Sequence, residues 1–313
     1  MAPKIIVIAG PTASGKTALS IALAKRFGGE VVSADSMQIY RRMDIGTAKP
    51  ALEEREGIPH HMMDVAEPDE AFSVARYVEL ASRCVDDILS RGKLPIVAGG
   101  TGLYIDSLLS GRTFAPFPTS GWRERLQERA NSEGITVLME ELRRIDPEAA
   151  ERLHLHDEKR IIRALEVWHE TGKTISRHNR ETKAVPPRYQ GCRIGLNFEK
   201  RADLWRRIDR RVDEMMAQGL LDEVKALLRG GIDPKCTAMQ AIGYKELADA
   251  ARGLAPVEQA VEEIKLRTRQ YAKRQVTWFR RNGEMQWYLW SSEPDFRRAL
   301  QFATEKIEES GIG

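Results

Sequence analysis

The feature of this chain that most constrains its fold is the stretch "IIVIAGPTASGKT" at residues 5–17. Its second half matches the phosphate-binding pattern G-x-x-x-x-G-K-[ST], and an apolar run precedes it. Such a loop connects a buried strand to a helix, because its glycines let successive backbone N–H groups face an anion. The residues predicted to bind phosphate are Gly10, Pro11, Thr12, Ala13, Ser14, Gly15, Lys16 and Thr17. The Thr17 hydroxyl is placed to ligate Mg²⁺.

The loop alone does not identify its anion. Most such loops bind ATP or GTP, so a small-molecule or nucleotide kinase and an RNA-binding ATPase both stay open. An ordinary NTPase carries a second apolar strand that ends in Asp and helps to hold the metal. Here the run "LPIVAGGTGLYI" ends in Gly-Gly-Thr-Gly instead, which argues against the nucleotide.

The strand that does end in a carboxylate is "EVVSAD", which ends at Asp35. Ligands of open parallel sheets bind at the carboxyl ends of the strands, so Asp35 is expected beside the phosphate loop. Capping of a following helix by Asp35 is the alternative, and both roles are compatible. Thr101 follows another strand, where a plain turn is an equally good interpretation.

Short apolar runs rich in Ile and Val predict a parallel sheet covered by helices on both faces. The fold class is therefore α/β, a P-loop NTPase-like sheet with an all-helical insertion domain. The runs are residues 4–10, 30–35, 94–100 and 192–198.

The long interval between the third and fourth runs predicts the insertion. It begins and ends in segments rich in Pro and Gly, and its interior has helical periodicity. We expect a core from residues 1–112 and 186–313 and a helical domain from residues 113–185. Long amphipathic helices follow, with Leu204, Ile208, Val212 and Met216 on one stripe.

Basic residues are concentrated in residues 184–211 and 264–281, and the second segment contains no acidic residue. Charge blocks of this kind are usually solvated helix faces, but two of them beside a phosphate loop favour a polyanionic partner such as nucleic acid. The three cysteines form no metal-binding or disulfide pattern. No apolar run is long enough to cross a bilayer and no signal peptide is evident, so we expect a cytoplasmic protein without a membrane partner.

Seven segments in order resemble bacterial tRNA dimethylallyltransferases, and the resemblance covers nearly the whole chain. The segments are "GPTASGKT", "SADSMQIYRRMDIGTAKP", "VAGGTGLYIDSLL", "HDEKRIIRALEV", "RVDEMMAQGLLDEV", "AIGYKEL" and "TRQYAKRQVTWFRR". The resemblance implies a prenyltransferase that modifies tRNA. It would transfer the dimethylallyl group from dimethylallyl diphosphate to N6 of adenosine 37, in tRNAs reading codons that begin with U.

In such an enzyme the phosphate loop would hold the diphosphate of the donor, with Mg²⁺ as the cofactor. The resemblance implies Asp35 as general base or orienting carboxylate, with Thr101, Arg160 and Lys16 completing the catalytic group. Arg207 and Arg211 would contact the diphosphate. Arg206 and Arg210 form a second row on the same helix, and spacing does not decide which row faces the donor.

The resemblance also implies contacts to the anticodon stem-loop of the tRNA, gripped by the helical insertion, and a monomer as the working form. The implied tRNA-contacting residues are Asp35, Ser36, Met37, Gln38, Thr101, Arg123, Lys159, Arg160, Ile161, Ile162, Arg163, Gln240, Gly243, Tyr244, Lys245, Lys273, Arg274, Gln275, Trp278 and Arg280. For the aromatic residues of the last segment, Tyr271, Trp278 and Phe279, packing is favoured over base stacking.

Overall fold

The computed structural model describes residues 2–111, 114 and 120–312. The chain divides into two compact units. One consists of Met1–Leu109 and Arg188–Gly313, and the other of Ser110–Pro187. The predicted boundary between residues 112 and 113 lies outside the described residues.

The first unit contains one sheet of six parallel strands in the order β3-β2-β4-β1-β5-β6. The strands are β1 Lys4–Ala9, β2 Gly29–Ser33, β3 His60–His61, β4 Leu94–Gly99, β5 Gln190–Phe198 and β6 Gln286–Trp290. The four predicted strands are confirmed. Two were missed: β3 has two residues and carries no periodicity, and β6 is an edge strand without an Ile/Val run.

The described residues form thirteen α-helices and one short 3-10 helix, Ala238–Gln240. The α-helices are α1 Lys16–Phe27, α2 Val74–Ser90, α3 Gly102–Ser110, α4 Trp122–Glu133, α5 Ile135–Ile145, α6 Pro147–Arg152, α7 Glu158–Thr171, α8 Ile175–Lys183, α9 Arg201–Ala217, α10 Leu220–Arg229, α11 Tyr244–Ala250, α12 Val257–Phe279 and α13 Phe296–Glu309.

Helices cover both faces of the sheet, as predicted for this fold class. Successive side chains of β1 point to opposite faces. Ile6 and Ile8 pack with residues of α1 and α13 on one face, and Ile5 and Val7 pack with residues of α2 and α3 on the other. Because both faces are buried, the strands are continuously apolar instead of alternating.

A third apolar cluster joins the segment after β2 to α9, α10, α11 and α12. The predicted stripe of α9 is confirmed, since Leu204, Ile208 and Val212 are buried. Helix α10 ends at Arg229, directly before Gly230. No helix in the described part of the chain has both the length and the apolar character that crossing a bilayer requires.

The second unit has its own core, built by α4 to α7. Leu138 and Leu142 of α5 lie one turn apart and are fully buried with Leu126 of α4 and Leu165 of α7. The helices predicted for this interval are confirmed, and no strand occurs among its described residues.

Candidate active site

The phosphate loop connects β1 to α1, as the motif requires. Gly10 has φ 147° and Gly15 has φ 90°, and both values disfavour any residue with a Cβ. A Cβ at Gly10 would lie 2.3 Å from the carbonyl oxygen of Leu196, so the loop passes too close to β5 for a side chain. Both glycines are therefore required by the path of the loop.

Side chains from three distant segments hold this loop. The indole Nε1 of Trp290 donates to the Ser14 carbonyl at 2.9 Å, and Arg207 Nε donates to the Ala13 carbonyl at 3.2 Å. The N–H of Thr12 donates to Oε1 of Gln275 at 2.9 Å. The loop is thus fixed by strand β6 and helices α9 and α12, which fits a preorganised anion site.

The loop borders a cavity of about 1210 Å³ within the first unit. Its wall includes the loop from Thr12 to Thr17, the segment Asp35 to Gln38, the loop around Ile45 and residues of α9 and α12. Polar and apolar groups both line it. The cavity therefore offers cations for a charged group and apolar surface for a hydrocarbon group.

The charged forms of two basic side chains in this cavity are destabilised. Burial and the nearby charge of Arg211 together lower the pKa of Lys16 to about 7, against the opposing effect of Asp35. Burial likewise lowers the pKa of Arg211, again opposed by Asp35. Lys16 Nζ donates to the Pro11 carbonyl at 2.7 Å. An anionic ligand would stabilise the charged forms of Lys16 and Arg211, so the electrostatics of the site favour the binding of an anion.

The two arginine rows of α9 differ in their surroundings. Arg207 and Arg211 both line the cavity, whereas Arg206 is mostly exposed and pairs with Asp203. Arg210 lines the cavity as well, although it belongs to the other row. Helical spacing could have suggested Arg210, since it lies three residues after Arg207.

Asp35 lies two residues after the end of β2 and lines the cavity. Its Oδ1 accepts from the N–H of Met37 at 2.8 Å and from that of Gln38 at 3.4 Å. The next element along the chain is β3, so Asp35 caps a turn and not a helix, and the helix-cap alternative is wrong. Its bonded oxygen fixes the carboxylate in orientation.

Thr101 braces the Asp35 segment, and Tyr271 lines the same cavity. Thr101 Oγ1 accepts from the N–H of Ser36 at 3.0 Å and donates to its hydroxyl at 3.3 Å. Burial raises the pKa of Tyr271 to about 12, and the nearby side chains of Thr101 and Gln275 oppose this shift. Thr101 therefore belongs to a turn and also lies beside the Asp35 segment. Tyr271 was not predicted as a site residue, because periodicity alone does not separate a site tyrosine from a core tyrosine.

Helix α12 presents exposed cations. Lys273 and Arg274 are exposed, as is Arg280 directly after the helix, and the exposed Trp278 donates from Nε1 to Asp106 at 2.8 Å. Phe279 is buried in the core, which confirms packing as its role.

Two side chains predicted to contact tRNA in the first unit are buried. Both polar atoms of the Gln275 side chain are used. Its Oε1 accepts from Thr12, and its Nε2 donates to the Gly100 carbonyl at 3.0 Å. The hydroxyl of Tyr244 donates to Glu223 at 2.6 Å. Contact of these two residues with tRNA stays a prediction, and Gln275 also lines the cavity. Gly243 is buried too, whereas Gln240 and Lys245 are exposed.

In the helical unit, some of the residues predicted to contact tRNA are buried and others are exposed. Ile161 and Ile162 are buried in its core, and their contact with tRNA stays a prediction. Lys159 and Arg160 are exposed at the start of α7.

Two other arginines of this unit share one buried carboxylate. Arg123 Nε donates to Glu166 at 2.9 Å and Arg163 Nη1 donates to the same carboxylate at 2.5 Å. Their guanidinium groups are therefore held in place on the unit's surface.

The groups available for Mg²⁺ are oxygens. Thr17 is exposed at the cavity, and Asp35 contributes a carboxylate to the same cavity. Among the described residues there is no group of three His, Cys, Asp or Glu side chains that could hold a metal ion without a ligand. The residues present fit Mg²⁺, which prefers oxygen ligands and is commonly bound by few protein groups together with substrate phosphates.

Comparison with known proteins identifies the family. Residues 38–282 match the family model described as IPP transferase. A tRNA dimethylallyltransferase of Thermoanaerobacter sp. (strain X514) is 49% identical over 291 residues, which is 92% of each chain. The kinase alternative is not favoured, because both the family and this relative are named for transfer of an isoprenoid group.

Solved structures agree. The full-length tRNA isopentenylpyrophosphate transferase of Bacillus halodurans is 40% identical, with a TM-score of 0.72 and coverage of 98% of both chains. A eukaryotic dimethylallyltransferase acting on tRNA is 34% identical, with a TM-score of 0.84 over 98% of this chain and 80% of the other. This chain belongs to the IPP transferase family.

Proposed function

We propose that this protein transfers the dimethylallyl group from dimethylallyl diphosphate to N6 of adenosine 37 in tRNAs reading codons that begin with U. Diphosphate is the other product. The names of the relatives support the reaction. The observation that carries the proposal is the shared cavity, in which the phosphate loop and Arg207 and Arg211 lie with the carboxylate of Asp35.

The donor diphosphate would bind to the backbone of the loop, with Lys16, Arg207 and Arg211 as the neutralising cations. Because the diphosphate leaves with additional negative charge, these cations stabilise the transition state more than the ground state. Mg²⁺, held by the Thr17 hydroxyl and the diphosphate oxygens, would supply further charge neutralisation. No water needs activation, so the site requires no residue for that purpose.

Asp35 would act on the acceptor. The N6 amine attacks the first carbon of the dimethylallyl group, the bond from this carbon to the diphosphate oxygen breaks, and the N6 proton passes to the Asp35 carboxylate. An exocyclic amine is a poor nucleophile, so holding it in line with the donor contributes much of the rate. The hydrogen bond from Met37 leaves the other carboxylate oxygen of Asp35 to face the amine.

Adenosine 37 must leave the anticodon-loop stack to reach this cavity, at a cost of a few kcal/mol. Contacts elsewhere on the tRNA have to offset this cost. We propose that the exposed cations of α12 and of the helical unit bind the RNA backbone, and that the helical unit grips the anticodon stem-loop. We further propose that the protein works as a monomer in the cytoplasm.

The direct test is an assay with dimethylallyl diphosphate, Mg²⁺ and unmodified tRNA. Digestion of the tRNA should yield N6-dimethylallyladenosine, and a tRNA with guanosine at position 37 should yield none. ATP consumption without a prenylated nucleoside would refute the proposal and restore the kinase alternative.

Replacing Lys273 with Ala should weaken tRNA binding at low salt and flatten its salt dependence. Each phosphate contact contributes roughly 0.7 to 0.9 to the slope of log K against log salt concentration, so the slope should fall by about 1. Filter binding across a salt series measures it. Arg298→Ala is the matched control, because Arg298 is an exposed arginine of α13. A slope unchanged in Lys273→Ala would exclude α12 as a phosphate-binding surface.

For the helical unit, Arg160→Ala should weaken tRNA binding by about three- to tenfold, as expected for one lost charged contact to phosphate. Arg160 is largely exposed and its carboxylate neighbour Asp157 is 3.6 Å away, so truncation leaves no buried charge. Arg177→Ala on α8 is the control, an exposed arginine in an ion pair of the same unit. Equal affinities for the two variants would contradict a role of α7 in gripping the tRNA.

A further inference from the structure

One carboxylate outside the predicted site holds a loop of the cavity wall. Glu223 of α10 accepts from three successive backbone N–H groups, those of Asp44 at 2.8 Å, Ile45 at 2.9 Å and Gly46 at 3.2 Å. The Tyr244 hydroxyl donates to the same carboxylate at 2.6 Å. Four donors on one carboxylate form a strong and directional anchor.

The anchor joins three segments that are far apart in sequence. A Cβ at Gly46 would lie 2.4 Å from the ring of Tyr244, so only glycine allows the loop to reach the tyrosine and the carboxylate. Burial and the Glu223 charge raise the pKa of Tyr244 well above its usual value, so its hydroxyl remains a donor. These contacts do more than pack the core, because the loop they fix also borders the cavity.

The anchored loop continues to the Asp35 segment through Gln38. Its Nε2 donates to the carbonyls of Thr47 at 3.3 Å and Ala48 at 3.2 Å, and its Oε1 accepts from the Ser33 hydroxyl at 2.8 Å. The N–H of Gln38 in turn donates to Asp35. Hydrogen bonds, joined by short stretches of backbone, therefore connect Glu223 with the carboxylate of Asp35.

We infer that Glu223 is a positioning residue for prenyl transfer, which holds the loop at residues 44–48 and, through Gln38, the orientation of Asp35. This inference rests on the proposed function. Glu223 does not line the cavity, so it acts through the loop and not on the substrates. A displacement of reacting groups by about 1 Å can cost a hundredfold in rate, so a loosened loop should appear in kcat.

The first experiment compares Glu223→Gln with Asp222→Asn. Glutamine keeps the shape of the side chain but loses one acceptor oxygen, so at least one N–H of the loop loses its partner. Asp222 is the neighbouring acid on α10 and its side chain is 81% exposed. We expect Glu223→Gln to lower kcat by roughly tenfold with both KM values within about twofold, and Asp222→Asn to behave as wild type.

A second experiment separates positioning from loss of stability. In the Gln38→Ala background the connection to Asp35 is already broken, so Glu223→Gln should lower kcat by less than about threefold there. Tyr244→Phe, which removes one donor and keeps the ring, should give a smaller loss than Glu223→Gln. Urea unfolding of each variant identifies any that are not folded at the assay temperature.

The outcomes are distinct. Equal losses from Glu223→Gln in the two backgrounds, or a wild-type kcat for this variant, would overturn the positioning role while leaving the transferase proposal intact. Wild-type protein that prenylates no tRNA would overturn both. Amide hydrogen exchange at residues 44–46 does not depend on activity, and unchanged protection in Glu223→Gln would by itself refute the anchor.

Discussion

Replacing Asp35 with Asn should lower the single-turnover rate of prenyl transfer by about 10²- to 10⁴-fold, the range for loss of a general base. Asparagine keeps an Oδ1 that accepts from the Met37 N–H, so the turn after β2 is preserved. It loses the negative charge that accepts the N6 proton. Donor affinity should change far less than the rate. Rapid quenching with labelled dimethylallyl diphosphate and saturating tRNA measures the rate.

The control for this prediction is Asp69→Asn, an exposed acid of the first unit that does not line the cavity. Its rate should equal that of the wild type. If Asp35→Asn instead weakened donor binding and left the rate of the bound complex intact, Asp35 would belong to the donor site. The assignment of the acceptor side to Asp35 would then be wrong.

The fold could be predicted from the sequence because its signals are local. A strand buried on both faces is a run of apolar residues, and the phosphate loop contains its own glycines and lysine in eight consecutive positions. Both signals are independent of the rest of the chain. By contrast, β3 and β6 exist only because a neighbouring strand offers hydrogen bonds at the sheet edge, which no short window of sequence reveals.

The site was predictable only in part, because several of its contacts join distant segments. Arg207 and Arg211 could be proposed from helical spacing, but only the packing of α9 against the loop shows which row faces it. Gln275 was predicted to contact tRNA because its segment resembles one of the family. In the folded protein it lies on the inner face of that helix and holds Thr12 and Gly100.

Glu223 is a clearer example of a site residue whose role could not be predicted from the sequence. Its segment is one of the seven that resemble the family, yet a glutamate on an amphipathic helix is ordinarily a solvated charge. Its role depends on a loop almost 180 positions earlier in the chain, which presents three N–H groups to it. Long-range partners of this kind leave no periodic signal in a single sequence.

The affinity of the protein for dimethylallyl diphosphate should fall as pH rises above 7. Burial lowers the pKa of Lys16 to about 7 in the free protein, and a bound diphosphate raises it again by its negative charge. Between the two pKa values, binding takes up one proton, so affinity decreases by up to about tenfold per pH unit. Calorimetry at pH 6 to 9, in buffers of different ionisation enthalpy, measures both the affinity and the proton uptake.

Lys16→Met should remove this pH dependence and lower the affinity at pH 6 by roughly 10- to 100-fold, the contribution of a charge-assisted bond to phosphate. The donor's own titration is common to both proteins and cancels in the comparison. Lys25→Met, a half-exposed lysine of the same helix, should retain the wild-type profile. Identical pH profiles for wild type and Lys16→Met would mean that Lys16 is charged before the donor arrives. The positive charge at the loop would then be a permanent feature of the free protein and not a consequence of substrate binding.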